Sequence, residues 1–233
     1  MNARRSTLII LFSIVSIHTI DASCPFYNVI FGNEDVSVSY KKQITNALRD
    51  FNVPQPEKVA VKKMNSVAAR LLGNELYSFT LIGIWLNEPA LNTLTESARE
   101  FKLYHEAAHY AHKHHAQALG LAATALPLMT TFPLLFRSAY YHSAYKKLGN
   151  IFAYSATALS WYGLYSYALK PFIKEQEKQA DLAAARMLCA KGKKEIVEAY
   201  LNQLKNQLAD FSSDDWHYSQ AEEYEYLAQL FAT

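Results

Sequence analysis

The chain has 233 residues, and 23 Lys and Arg against 21 Asp and Glu leave a formal charge of +2. That balance lacks the clustered basic excess that phosphate neutralisation requires, so no nucleic-acid partner is expected. Hydrophobic residues make up 51% and charged residues 19%, with 7 Gly and 7 Pro, which excludes disordered and low-complexity classes and allows a sizeable core. Two cysteines, Cys24 and Cys189, are too few for a disulfide framework or a Cys-based zinc ribbon, so a metal site has to draw on the 8 His and the carboxylates.

In chain order, residues 1–23 carry Arg4 and Arg5, then an uncharged apolar stretch, then small residues before Cys24. This is the order of a secretory signal peptide or a short signal anchor, and it points to an exported body. Residues 58–64 and 78–86 are rich in β-branched and aromatic side chains and read as short strands, with Gly73-Asn74 as the turn between helix and strand. A strongly helical stretch covers 95–115. Two uncharged runs follow, 116–136 and 148–169, each matching the ~20 residues that a helix needs to cross the hydrocarbon layer. The polar linker 137–147 between them makes a helical hairpin. Pro127 and Pro133 interrupt the first run, and Tyr154, Ser155, Thr157 and Ser160 dilute the second, so a buried or membrane-surface hairpin is the alternative to a transmembrane one. Helices are expected again over 174–190, with Gly192 as its C-cap, 194–208 and 219–231. The fold class is therefore α+β and mainly α-helical.

The most informative residues are His105-Glu106-Ala107-Ala108-His109, an H-E-x-x-H on a helix. Four helical residues turn the chain by ~400° and lift it by ~6 Å, so both imidazoles project from one face and can hold one metal ion while Glu106 lies beside them. A catalytic zinc needs a third protein ligand and an open position. His115 has the spacing of the third histidine in H-E-x-x-H-x-x-G-x-x-H, but His112 stands where that pattern has its turn-forming Gly. His112, His114 and His115 read as a wet helix end or as interfacial residues. The better candidate is Glu177, four residues before Asp181 on a predicted helix, so that both carboxylates share a face. Asp181 can then accept the free N–H of a ligating histidine. Taken alone, E-x-x-x-D is more simply a solvated face paired with Lys174 and Lys178.

Together these motifs resemble peptidase family M48, the membrane zinc metallopeptidases that include the heat-shock protease HtpX, the CAAX prenyl proteases and the mitochondrial Oma-type proteases. The family pattern is H-E-x-x-H-x-x-x-x-H, then E-x-x-A-D-x-x-A at a distance. The chain reads His105-Glu106-Ala107-Ala108-His109 with His114, then Glu177-Lys178-Gln179-Ala180-Asp181-Leu182-Ala183-Ala184. Several members carry two hydrophobic segments between the motifs. Leu81-Ile82-Gly83-Ile84-Trp85-Leu86-Asn87 is similar to the family strand beside the cleft, and the likeness covers about residues 58–231.

The resemblance implies a zincin-like metallopeptidase domain, split into 24–115 and 170–233 around the hydrophobic hairpin 116–169. It implies one zinc ion per chain on His105, His109 and Glu177, Glu106 as general base and acid, and Asp181 orienting a ligand. A family His before a C-terminal acidic helix is matched by His217 ahead of Glu222-Glu223, without the usual prolines and Arg; it is carried as the oxyanion stabiliser, against an exposed loop His. The implied function is zinc-dependent endoproteolysis of protein or peptide substrates at a lipid membrane, in membrane-associated proteolysis or protein quality control, with the catalytic body on the periplasmic or lumenal side. An exported soluble or peripheral protein is the alternative location. The strand around 82–86 is expected to pair with an extended substrate. The rival reading is a non-catalytic zinc-binding membrane protein, against which Glu106 speaks, since metal binding alone does not need it.

Overall fold

Apolar side chains Tyr40, Ile44, Ala47 and Leu48 recur at three- and four-residue spacing along Val38–Asp50, and this segment forms a helix, α1, that buries that face. It has no counterpart among the sequence expectations. The computed structural model describes residues 32–72, 78–80, 83–140, 146–206 and 218–231. The signal-like segment 1–23, Cys24, the Gly73-Asn74 turn and His217 lie outside the described residues.

Beyond α1, the chain enters β1 (Val61–Lys63), the short helix α2 (Ser66–Leu72), β2 (Ser78–Thr80) and β3 (Ile84–Leu86). The stretch 78–86, expected as one strand, is two: β2 runs antiparallel to β3 with Phe79 opposite Trp85. Gly83 marks the break. A Cβ there would stand 2.8 Å from the Ala60 carbonyl oxygen, so only glycine lets the chain come this close to its neighbour. On its other side β3 pairs in parallel with β1, Lys62 opposite Trp85. Ile84–Leu86 is therefore the central strand, with both edges occupied, and cannot receive an extended peptide as its sequence suggested.

One turn of helix, α3 (Glu88–Leu91), leads to α4 (Glu96–His112), whose start is fixed by Thr95 accepting a hydrogen bond from the Ala98 N–H. The expected single helix 95–115 ends early. Lys113 adopts a left-handed conformation, φ 56°, and a new helix, α5, begins at His114 and runs to Tyr140. Helix α6 (Lys146–Leu164) packs alongside α5 and passes through a π-helical turn, Tyr165–Leu169, directly into α7 (Lys170–Ala190). Gly192, φ +73°, follows the end of α7 as expected, and the Lys193 N–H returns to the Leu188 carbonyl. The chain closes with α8 (Lys194–Asn206), α9 (Gln220–Ala228) and a 3-10 turn, Gln229–Phe231.

Among the described residues no helix is long and apolar enough to cross a membrane. Those residues therefore lend no support to the spanning reading of 116–136 and 148–169. Pro127, Pro133 and three threonines interrupt the first run, and serines and tyrosines dilute the second.

Helix α4 sits at the centre, against α1, α7 and α8. Its Phe101 is fully buried and stacks on Tyr200 of α8 with ring centroids 4.1 Å apart. On the faces that α4 and α7 turn to each other, Ala108, Ala180 and Ala184 are fully buried. Such small side chains let the two helix axes approach closely, which brings the polar groups of both helices into one site.

Candidate metal centre

His105 and His109 lie on successive turns of the buried face of α4, with ring centroids 4.6 Å apart and their Nε2 atoms 3.0 Å apart. Glu177 projects toward them from α7. One of its carboxylate oxygens is 3.4 Å from His105 Nε2 and the other 3.4 Å from His109 Nε2. Among the described residues, these three form the group whose donor atoms converge closely enough to share an ion. Donors that stand about 2.0–2.1 Å from a common tetrahedral zinc are roughly 3.3 Å from one another, and the observed separations fit that figure. Two imidazole nitrogens and a carboxylate oxygen are also a donor set that zinc accepts.

Each imidazole is held from behind. His105 Nδ1 is 2.7 Å from Asp181 Oδ1, and Asp181 is 4% exposed. His109 Nδ1 is 3.1 Å from Nδ1 of His114. These contacts occupy both Nδ1 atoms, so each ring can turn an Nε2 lone pair toward the shared centre. His114 is 2% exposed, and its carbonyl accepts a bond of 2.9 Å from the buried Gln176 amide. Its reading as a wet helix end is therefore overturned. The left-handed residue Lys113 redirects the chain so that His114 folds back over His109; in an uninterrupted helix five residues would carry it to another face. His112, by contrast, is exposed.

The electrostatics divide the histidines. Burial opposes charge on His105, but Asp181, Glu177 and Glu106 outweigh it and hold the imidazole up to about 10. Burial and neighbouring imidazoles push His114 down to about 3 and His115 down to about 4, so both are neutral at ordinary pH. Neutral His114 can accept the His109 N–H at Nδ1. Asp181 is kept low despite burial by His105 and Lys102. The acidic cluster thus favours a cation among Glu177, Glu106 and Asp181. Glu106 places a carboxylate oxygen 3.8 Å from His105 Nε2, beside the donors, and is 13% exposed.

Tyr226 and Gln176 carry no signal in the sequence, yet both reach the site, Tyr226 by donating its hydroxyl to Asp181 Oδ2. Their positions depend on how α7, α9 and α5 pack, which local spacing does not determine. His114 does carry a signal, the last histidine of H-E-x-x-H-x-x-x-x-H.

Among known proteins, Peptidase family M48 matches residues 36–228 of the chain. No curated protein and no solved structure matches it.

Proposed function

The chain belongs to peptidase family M48, a family of metallopeptidases, and from that premise we propose that it is a zinc-dependent metalloendopeptidase centred on His105, His109 and Glu177. The observation that carries the reading is the mutual separation of those donors, 3.0 to 3.4 Å, with an acidic side chain set beside them that is not needed to hold the ion. When bound, a zinc ion supplies a Lewis acid that acidifies water and polarises a peptide carbonyl. The chain's own residues do the rest. Glu106 accepts the proton of the attacking water and returns it to the leaving amide nitrogen. Asp181 and His114 keep the two imidazoles in the tautomer and orientation that ligation requires. Strand β2, paired on one side among the described residues and packed near α4, offers an edge to which an extended substrate can add.

The hairpin α5–α6 supports a second element of this reading, contact with a membrane surface. Leu135, Ile151, Phe152, Tyr154, Leu159 and Tyr162 are each more than half exposed on it. A concentration of large apolar side chains outside the core marks an interaction surface, and aromatic residues of this kind suit the boundary between headgroups and acyl chains. Membrane proteins are then the nearest substrates, in keeping with membrane-associated proteolysis or quality control. Flotation of the purified chain with phospholipid vesicles checks this element, and a chain that stays at the bottom of the gradient contradicts it.

The enzymatic reading is tested with the wild type and Glu106→Gln. Both are expected to hold about one zinc per chain, and only the wild type to cleave an unfolded protein, with chelator abolishing cleavage. Zinc on both with cleavage by neither leaves the rival, a non-catalytic zinc-binding protein; zinc on neither removes the metal reading.

A further inference from the structure

The acidic partner of His105 is itself held by a helix remote in sequence. Asp181 has two carboxylate oxygens in a nearly dry position: Oδ1 faces the His105 imidazole at 2.7 Å, and Oδ2 accepts the hydroxyl of Tyr226 from α9. The start of α9 is fixed by a reciprocal cap, in which Ser219 Oγ accepts the Glu222 N–H and the Glu222 carboxylate accepts the Ser219 N–H at 2.9 Å. The same helix face is anchored three residues before Tyr226. Glu223 Oε1 accepts the Tyr200 hydroxyl at 2.6 Å and lies 3.5 Å from Lys102 Nζ, one turn before His105 on α4. The Tyr226 ring is 8% exposed and packs edge-on against Tyr218, with Lys178 Nζ 5.5 Å from its centroid.

We propose that Tyr226 is a positioning residue for the metal centre: its hydroxyl, presented by the C-terminal helix, locks the Asp181 carboxylate in the rotamer that orients His105, and so couples docking of α9 to metal affinity. This inference rests on the reading of His105, His109 and Glu177 as metal ligands. With its second oxygen committed to Tyr226, Asp181 can offer only the first to the His105 N–H, and the ring is held with Nε2 toward His109 and Glu177. Without the hydroxyl, a buried carboxylate oxygen loses its donor and the group is free to turn away from His105.

The experiment measures zinc affinity of the full chain by competition with a chromogenic chelator, for the wild type, Tyr226→Phe, Asp181→Asn and the double variant. Partners behind metal ligands contribute about 10- to 100-fold in affinity, so Asp181→Asn is expected to fall in that range and Tyr226→Phe, acting through it, near its lower end at about 10-fold. The double variant is expected to bind no more weakly than Asp181→Asn alone, because Tyr226 acts only through that carboxylate. Tyr104→Phe is the control. It deletes a hydroxyl on the residue next to His105 whose bond, 2.7 Å, goes to Asp50 rather than to a partner of the histidines, and is expected to leave zinc affinity unchanged. Equal affinity in Tyr226→Phe and the wild type, an equal loss in Tyr104→Phe, or additive losses in the double variant overturn the proposal while leaving the metal reading intact. A wild type that binds no zinc overturns both. Should Tyr226→Phe fail to fold, 3-fluorotyrosine placed at 226 keeps the hydroxyl: a fluorine resonance that moves on zinc addition supports the coupling, and one that stays fixed overturns it.

Discussion

Replacing Lys102 by Met tests how the polar layer behind the metal centre is balanced. Lys102 Nζ lies 3.5 Å from Glu223 and 5.2 Å from the centroid of the Tyr200 ring, and the two charged side chains are only 19% and 13% exposed. Met fills a similar volume without charge, so the variant leaves the Glu223 carboxylate near the charge of Asp181 with, among the described residues, the Tyr200 hydroxyl as its remaining partner. Breaking a buried pair costs about 3–5 kcal/mol, and the residual exposure of this one places it near the lower end, at about 3 kcal/mol. At about 2–4 °C per kcal/mol for a domain of this size, Tm falls by roughly 6–12 °C. The double variant Lys102→Met/Glu223→Gln removes both charges and is expected within about 1 kcal/mol of the wild type. Burial already holds the Glu223 carboxyl above its usual value, so the Lys102→Met penalty is largest at neutral pH and shrinks as falling pH protonates that group. Urea unfolding followed by circular dichroism, on metal-free protein so that bound zinc adds nothing to the stability, gives the numbers. A penalty below about 1 kcal/mol, the value of an exposed pair, or a double variant as unstable as the single one, refutes the reasoning.

His114→Phe removes the partner of His109 Nδ1 while filling most of its volume; zinc affinity is expected to fall about 10- to 100-fold, and unchanged affinity in chelator competition contradicts the role given to His114. Asp50→Asn probes acid stability: burial raises its carboxyl, but hydrogen bonds from Lys191 and Tyr104 outweigh this and hold it below its usual value. A depressed folded value contributes stability above the unfolded value and loses it as pH falls, so the variant is expected to be about 1 kcal/mol less stable at pH 7, with the gap closing below about pH 4. A gap that stays constant across that range contradicts it.

The parts of this site that follow from local geometry are legible in the sequence. A four-residue spacing on a helix fixes which side chains share a face, so His105 with His109 and Glu177 with Asp181 declare themselves before any fold is known. Capping does the same for Gly192. What depends on packing is not legible. The alanines between α4 and α7 determine that the two faces meet, but nothing local states which helices will pair. The left-handed turn at Lys113 is opaque for another reason: a residue other than glycine adopts it because the surrounding structure demands it, and with it His114 moves from a helix end to the back of His109. The break at Gly83 is visible only once Ala60 stands next to it. Tyr226 is one of 16 tyrosines, and only the docking of α9 distinguishes it. The spanning hairpin was an inference from length, which the serines and tyrosines of 148–169 undercut.

The most direct measurement is the zinc content and donor set of the purified full chain, by elemental analysis and X-ray absorption at the zinc edge. The account predicts about one zinc per chain, with two imidazole nitrogens and carboxylate oxygen around it, and loss of bound zinc in His109→Ala. A chain without zinc, or zinc that remains in full when His109 is removed, contradicts it.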